Sequence, residues 1–247
     1  MDLGIDGKVA LVTGGSSGLG LGCAKALASE GVQVAIASRS ADKIAWALGE
    51  LPGACVGYQV DLARPEEAKD LIDRVLQDLG QVDILVANAG GPKAGGWSSV
   101  GIADYRGAIE QNLLSMVELC NAVLPGMTKA GFGRIIAITS LYVKAPDPGL
   151  ILSNTARAGL TGYLKSVAAE VAGAGVTVNS LLPGLHLTDR LTAIERDIGA
   201  LAQTVPAKKL GDPESFGKIA AFLASTHAWY INGQAILVDG GILRGLF

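Results

Sequence analysis

A chain of 247 residues with 49% hydrophobic and 17% charged side chains is long enough for one large core and too apolar to stay disordered. Its 20 basic and 23 acidic side chains leave a net charge of -3 with no basic cluster, which excludes a broad phosphate-binding face and hence nucleic acid as a partner. The longest uncharged stretch, Val171 to Thr188, is interrupted by Gly173, Gly175, Asn179, Pro183 and Gly184, so no membrane span is expected.

Seven short apolar runs punctuate the chain: Val9 to Thr13, Val34 to Ser38, Cys55 to Asp61, Ile84 to Asn88, Ile135 to Ser140, Val176 to Leu182 and Ala235 to Asp239. Helical patterns separate them, as in Ala68, Leu71, Ile72, Val75 and Leu79 after Pro65, or Ala156, Leu160, Leu164, Val167 and Val171. Strand alternating with helix predicts βαβ units, and the continuous Val/Ile/Ala/Leu strands suit burial on both faces. The fold class is therefore α/β, one doubly wound domain over residues 1–247 with a seven-stranded parallel sheet flanked by helices. Trp46 is expected in the core beside Ile44, Ala45 and Leu48, and Trp97 at a substrate entrance or the surface, while His227 and Trp229 fall far from any site. Cys23, Cys55 and Cys120 form no CxxC pair for zinc or redox work, and the opening residues lack a signal-peptide pattern, so a cytoplasmic protein without a metal site is expected.

The first run feeds Thr13-Gly14-Gly15-Ser16-Ser17-Gly18-Leu19-Gly20 and then a helical pattern. A glycine turn opening a helix brings bare backbone amides and the positive helix end to a pyrophosphate. With this TGxxxGxG spacing the chain resembles the short-chain dehydrogenase/reductase family of Rossmann-type proteins, and further landmarks follow in order. Asn88-Ala89-Gly90 resembles the family's NNAG with Ala87 in place of the first Asn, Asn112 the catalytic-helix Asn, and Ser140 the catalytic Ser. Pro183-Gly184 with Thr188 resembles the cofactor loop, and Asn232-Gly233 through Gly241 the closing strand. The resemblance implies an oxidoreductase similar to 3-oxoacyl-acyl-carrier-protein reductases. Hydride would pass between nicotinamide and a carbonyl or alcohol. Gly14, Ser16, Ser17, Gly18, Leu19, Gly20, Asn88, Ala89, Gly90, Pro183, Gly184 and Thr188 would cradle the cofactor, with Asp61 and Leu62 at the adenine. The second run ends in Ser38-Arg39-Ser40, and an arginine without a carboxylate at this tip favours the 2′-phosphate of NADP(H) over NAD(H).

The reaction end departs from the family. Thirteen residues beyond Ser140, where YxxxK is expected, stand Ser153-Asn154-Thr155-Ala156-Arg157. An aliphatic hydroxyl is a far weaker acid than a phenol, and a guanidinium keeps its proton. Arg157 retains the charge and would hold the nicotinamide ribose. If strand geometry continues past Ser140, Tyr142 and Lys144 share its side and are candidate proton donors, as is His186 in the loop after Pro183-Gly184. Tyr163 lies about 80° round the helix from Ser153 and cannot replace the phenol. Two readings stay open, an NADP-dependent reductase with an atypical site and a catalytically silent nucleotide-binding sensor or partner subunit. Residues 185–206 are expected to form a substrate lid with Leu187, Leu191 and Ile194 as apolar wall. The helices around Asn112 to Val123 and Ala156 to Val171, with the apolar tail Ile242 to Phe247, suggest a homo-oligomer, in the family usually a tetramer.

Overall fold

The computed structural model describes residues 1–246; Phe247 and the side chain of Ile194, both expected above to make apolar contacts, lie outside the described residues. Its strands are β1 (Val9–Thr13), β2 (Gln33–Ser38), β3 (Val56–Gln59), β4 (Ile84–Ala87), β5 (Gly133–Ile138), β6 (Val176–Pro183) and β7 (Ala235–Val238). They form one parallel sheet in the order β3-β2-β1-β4-β5-β6-β7. The order reverses between β1 and β4, which opens a crevice beyond their carboxyl ends.

The helices are α1 (Gly18–Ser29), α2 (Ala41–Glu50), α3 (Glu66–Leu79), α4 (Ile102–Ile109), α5 (Ser115–Ala130), α6 (Ile151–Val171), α7 (Asp189–Ile194), α8 (Ile198–Thr204) and α9 (Pro213–Ala224). Successive strand residues point to opposite faces, so Ala10 and Val12 join a core with α1, α2 and α9, while Leu11 joins one with α3, α5 and α6. In α3 the expected stripe of Ala68, Leu71, Ile72 and Val75 is buried, and each large apolar side chain contributes roughly 1.5–3 kcal/mol. The α1–α9 crossing is closer than side chains permit. A Cβ on Gly22 would meet the Pro213 carbonyl, and one on Gly217 would meet that of Gly22.

Two expectations need correction. Trp46 is 58% exposed, because α2 buries Ile44 and Ala47 and residue 46 lies about 200° from Ile44 around the axis. The fifth strand ends at Ile138, two residues before Ser140. The Ser140 hydroxyl accepts a hydrogen bond from the Tyr142 N–H at 3.2 Å and turns the chain into a 3-10 turn over Leu141–Val143. Among the described residues no helix is long and apolar enough to cross a membrane.

Candidate active site

Thr13 fastens the two strands at the switch point. Its Oγ1 donates to the Asn88 carbonyl at 2.8 Å and accepts from the Asn88 N–H at 2.9 Å. The glycine turn follows at once. Gly14 and Gly18 adopt φ of +59° and +53°, a left-handed conformation that suits glycine. A Cβ on Gly14 would lie 2.6 Å from Asn88 Nδ2, and one on Gly20 would run into the Gly14 carbonyl. The bare turn opens on a cleft of about 640 Å³ along the carboxyl ends of β1, β2 and β4. Gly14, Ser16, Ser17, Gly18, Leu19, Asp61, Leu62, Asn88, Ala89, Gly90, Pro183 and Thr188 all line it. Gly20 and Gly184 are absent from that wall and shape it from behind; a Cβ on Gly184 would lie 2.7 Å from Asp239 Cα.

At one end of the cleft, the Ser16 hydroxyl donates to Ser38 Oγ at 2.7 Å, and Ser38, Arg39 and Ser40 line the wall. Ser40 also caps α2, accepting from the Lys43 N–H at 3.3 Å. Lys43 joins Arg39 on the lining. Its signal in the sequence was its place four residues beyond Arg39, one turn into the helix that Ser40 opens.

At the other end stands Arg157. It is 8% exposed, and its Nη1 donates to the carbonyls of Ile138 at 2.9 Å and Thr139 at 2.5 Å, its Nη2 to that of Ala89 at 3.3 Å. The reason lies in β6. Thr139 N donates to the Leu181 carbonyl, so the parallel ladder next asks residue 183 for an N–H toward the Thr139 carbonyl, and Pro183 has none. Arg157 supplies the missing donor. Burial, with the charge of Arg190 adding to it, lowers its pKa to about 10, so it remains a cation at neutral pH. Ser153 sits one helical turn before it on α6.

Asn112 lies in a π-helical turn over Glu110–Leu114 between α4 and α5. Its Nδ2 donates to the Gly90 carbonyl at 2.8 Å, tying the loop after β4 to this turn, and its Oδ1 is buried without a partner among the described residues. Gln111, not singled out from sequence, reaches the same carbonyl at 3.2 Å and lines the cleft. Arg190, at the start of the lid, was also missed.

The candidate proton donors do not converge on the cleft. Ser140 Oγ accepts from Tyr142 N and is itself absent from the cleft lining, and the alternation that was to align Tyr142 and Lys144 with it ends with the strand at Ile138. Lys144 lines a second cavity, of about 270 Å³, with Lys165, Ser180 and Gln234. Burial, reinforced by Asp147, raises the Tyr142 pKa, the wrong direction for an acid. His186 is buried against Phe216, with ring centroids 5.1 Å apart, and its Nδ1 lies 3.2 Å from the Gly184 carbonyl. There it pins the lid's base, where Leu187 N donates to the Gly211 carbonyl at 2.8 Å. The Tyr163 hydroxyl donates to Asn121 Oδ1 at 2.8 Å on α5, away from the site as expected. Cys23 and Cys120 are buried, which pushes both thiols up to about 12, and this leaves them unreactive.

A parallel doubly wound sheet with a bare glycine turn at its switch point, facing a cleft cationic at both ends, defines a dinucleotide-type oxidoreductase scaffold. The family model for "Enoyl-(Acyl carrier protein) reductase" matches residues 14–243. The 3-oxoacyl-[acyl-carrier-protein] reductase FabG of Escherichia coli is 37% identical over 97% of this chain and 99% of its own. Nodulation protein G of Azospirillum brasilense is 36% identical over 95% and 98%. Among solved structures, L-sorbose reductase from Gluconobacter frateurii, complexed with NADPH and L-sorbose, superposes with a TM-score of 0.93 at 31% identity over the whole of both chains. YwfH, an NADPH-dependent reductase involved in bacilysin biosynthesis, gives 0.92 at 26% identity over 98% and 100%. The chain belongs to the short-chain dehydrogenase/reductase family and is 3-oxoacyl-acyl-carrier-protein reductase-like.

Proposed function

We propose that the protein is an NADP(H)-dependent oxidoreductase that moves hydride between a nicotinamide and a small carbonyl or alcohol substrate of the 3-oxoacyl type. The observation that carries the reading is the cleft itself. Its glycine wall has no room for side chains at Gly14 and Gly20, and Arg39 and Lys43 stand together at the β2 tip, where a 2′-phosphate needs cations and a bare ribose does not. A relative of the same fold complexed with NADPH, and another that is NADPH-dependent, support that reading.

A bound nicotinamide supplies the hydride. The chain's own residues supply position and charge: Thr13 and Asn112 hold the loop after β4 in register, and Thr188 closes over Gly18, its methyl 3.4 Å from where a Cβ would be. Ser140, whose oxygen accepts from Tyr142 N just beyond the cleft lining, would donate its proton in a hydrogen bond to the substrate oxygen, and the Arg157 cation would stabilise negative charge developing there. Assembly as a homotetramer in the cytoplasm belongs to the same reading; the half-exposed β7 and Tyr230, 84% exposed, leave apolar surface for a second copy.

The test is calorimetric titration with NADPH and NADH, then turnover on a carbonyl panel followed at the nicotinamide absorbance. The expected result is tighter NADPH binding with turnover that Ser140→Ala abolishes while binding survives. Tight NADPH binding without turnover would replace this reading by that of a silent nucleotide-binding sensor or partner subunit. That alternative draws on the SxxxR sequence and on the placement of Ser140, Tyr142, Lys144, Ser153 and His186 outside the cleft lining.

A further inference from the structure

The cleft wall carries four cations, Arg39, Lys43, Arg157 and Arg190, against one carboxylate, Asp61. They are sorted by position. Arg39 and Lys43 belong to the β2 tip, and the glycine turn with the α1 amides suffices for a diphosphate. Arg157 and Arg190 line the cleft away from that tip, beside the loop after β4, Arg157 on the Ala89 carbonyl and Arg190 on the Pro92 carbonyl.

Neither arginine forms an ion pair among the described residues. Arg190 rests its Nη2 on the Pro92 carbonyl at 3.4 Å, a long contact, and lies where a Cβ on Gly91 would clash with its guanidinium. Glycine at 91 therefore makes the room that this side chain fills. Arg157 is buried, and its Nε–H has no partner among the described residues. The two cations are near enough that the charge of Arg190 lowers the Arg157 pKa further. Two like charges on the wall of one cleft, one of them buried, are eased by an anion that lies between or over them.

On the dinucleotide-oxidoreductase reading above, we propose that the substrate is a carbonyl compound carrying a carboxylate, which the planar fork of Arg190 holds at the β4–β5 end of the cleft. Arg190 is the specificity-determining residue, and Arg157 supplies charge behind it. The fork suits two parallel N–H···O bonds to a carboxylate. Because Arg190 is carried by the lid helix α7, an acid that engages it also draws the lid onto the cleft.

The test uses the full-length protein saturated with NADPH and a series of 2-, 3- and 4-oxo acids paired with their methyl esters, binding being read from nicotinamide fluorescence. At least one acid is expected to bind roughly ten- to a hundredfold more tightly than its ester. Arg190→Gln is expected to remove most of that preference and Arg190→Lys to keep part of it, with NADPH affinity unchanged. Arg190 is exposed, and matching thermal melts establish that the variants fold. Equal binding of every acid and its ester by the NADPH-bound wild type overturns the proposal. So does an Arg190→Gln variant that loses NADPH affinity tenfold yet keeps the acid preference, because the anion is then the cofactor's diphosphate. A wild type that fails the first NADPH titration removes the dinucleotide reading itself, and this proposal with it.

Discussion

Replacing Arg157 by methionine tests whether the buried guanidinium is a strong clamp or a balanced one. The substitution strips two donors from the buried Ile138 and Thr139 residues and one from Ala89. Each buried carbonyl left without a donor costs ~1–3 kcal/mol, so the two deepest bonds together are worth ~2–6 kcal/mol. Against this, the fall of the Arg157 pKa from 12.5 to about 10 corresponds to a charge burial cost of ~3 kcal/mol, which methionine removes. The difference leaves Arg157→Met destabilised by only ~1 kcal/mol, within a span of roughly −1 to 3 kcal/mol.

Urea unfolding followed by far-ultraviolet circular dichroism measures it. Tryptophan fluorescence suits the purpose poorly, because Trp46, Trp97 and Trp229 are 58%, 82% and 66% exposed in the folded chain. A loss above ~5 kcal/mol would show that the carbonyl bonds far outweigh the burial of the charge, and the balance argued here would be wrong.

Two further outcomes are expected. Arg39→Ala should weaken NADPH binding roughly tenfold or more and leave NADH binding unchanged; equal losses for both nucleotides, by calorimetry, would remove the 2′-phosphate from the β2 tip. Burial lowers the His186 pKa below its ordinary 6.5, so below that pH the unfolded chain takes up the proton first and folding stability falls with pH. His186→Gln should therefore close its stability gap with the wild type as pH drops from 6.5 toward 5, and a pH-independent gap in urea titrations would contradict that role.

The strands and the glycine turn were legible because their cause is local. A continuous apolar run bounded by glycine reads as a doubly covered strand whatever lies across the sheet, and Gly14, Gly18 and Gly20 are needed by their own backbone. What sequence reasoning misjudged depends on neighbours. Trp46 looked like core until the buried stripe of α2 proved to run through Ile44 and Ala47. Tyr142 and Lys144 were aligned with Ser140 by a strand that stops at Ile138, because the Ser140 side chain caps a 3-10 turn over Leu141–Val143. Arg190 was read only as part of a lid, because nothing in the chain order places it against Gly91, almost a hundred residues earlier. Arg157 was located by spacing, but its partnership with Pro183 needed the register of β5 against β6.

That partnership bears on the chemistry. In a YxxxK site a phenol beside a cation can give up its proton in the hydride step, whereas here the cation is an arginine engaged with main-chain carbonyls. A guanidinium in that position stabilises an oxyanion but has no proton to give at neutral pH. The Ser140 hydroxyl can hydrogen-bond to the oxygen without being acidic enough to transfer its proton. On the function proposed above, such a site would lower the barrier by electrostatics and leave protonation to solvent afterwards. Hydride transfer from NADPH deuterated at the transferred position should then show a primary isotope effect in single turnovers, while the same turnovers in heavy water show a solvent effect close to unity. A solvent effect as large as the primary one, with the two multiplying when combined, would mean that proton and hydride move together. A positioned acid would then have to stand close to the cleft, and the division of labour between Arg157 and Ser140 would have to be abandoned.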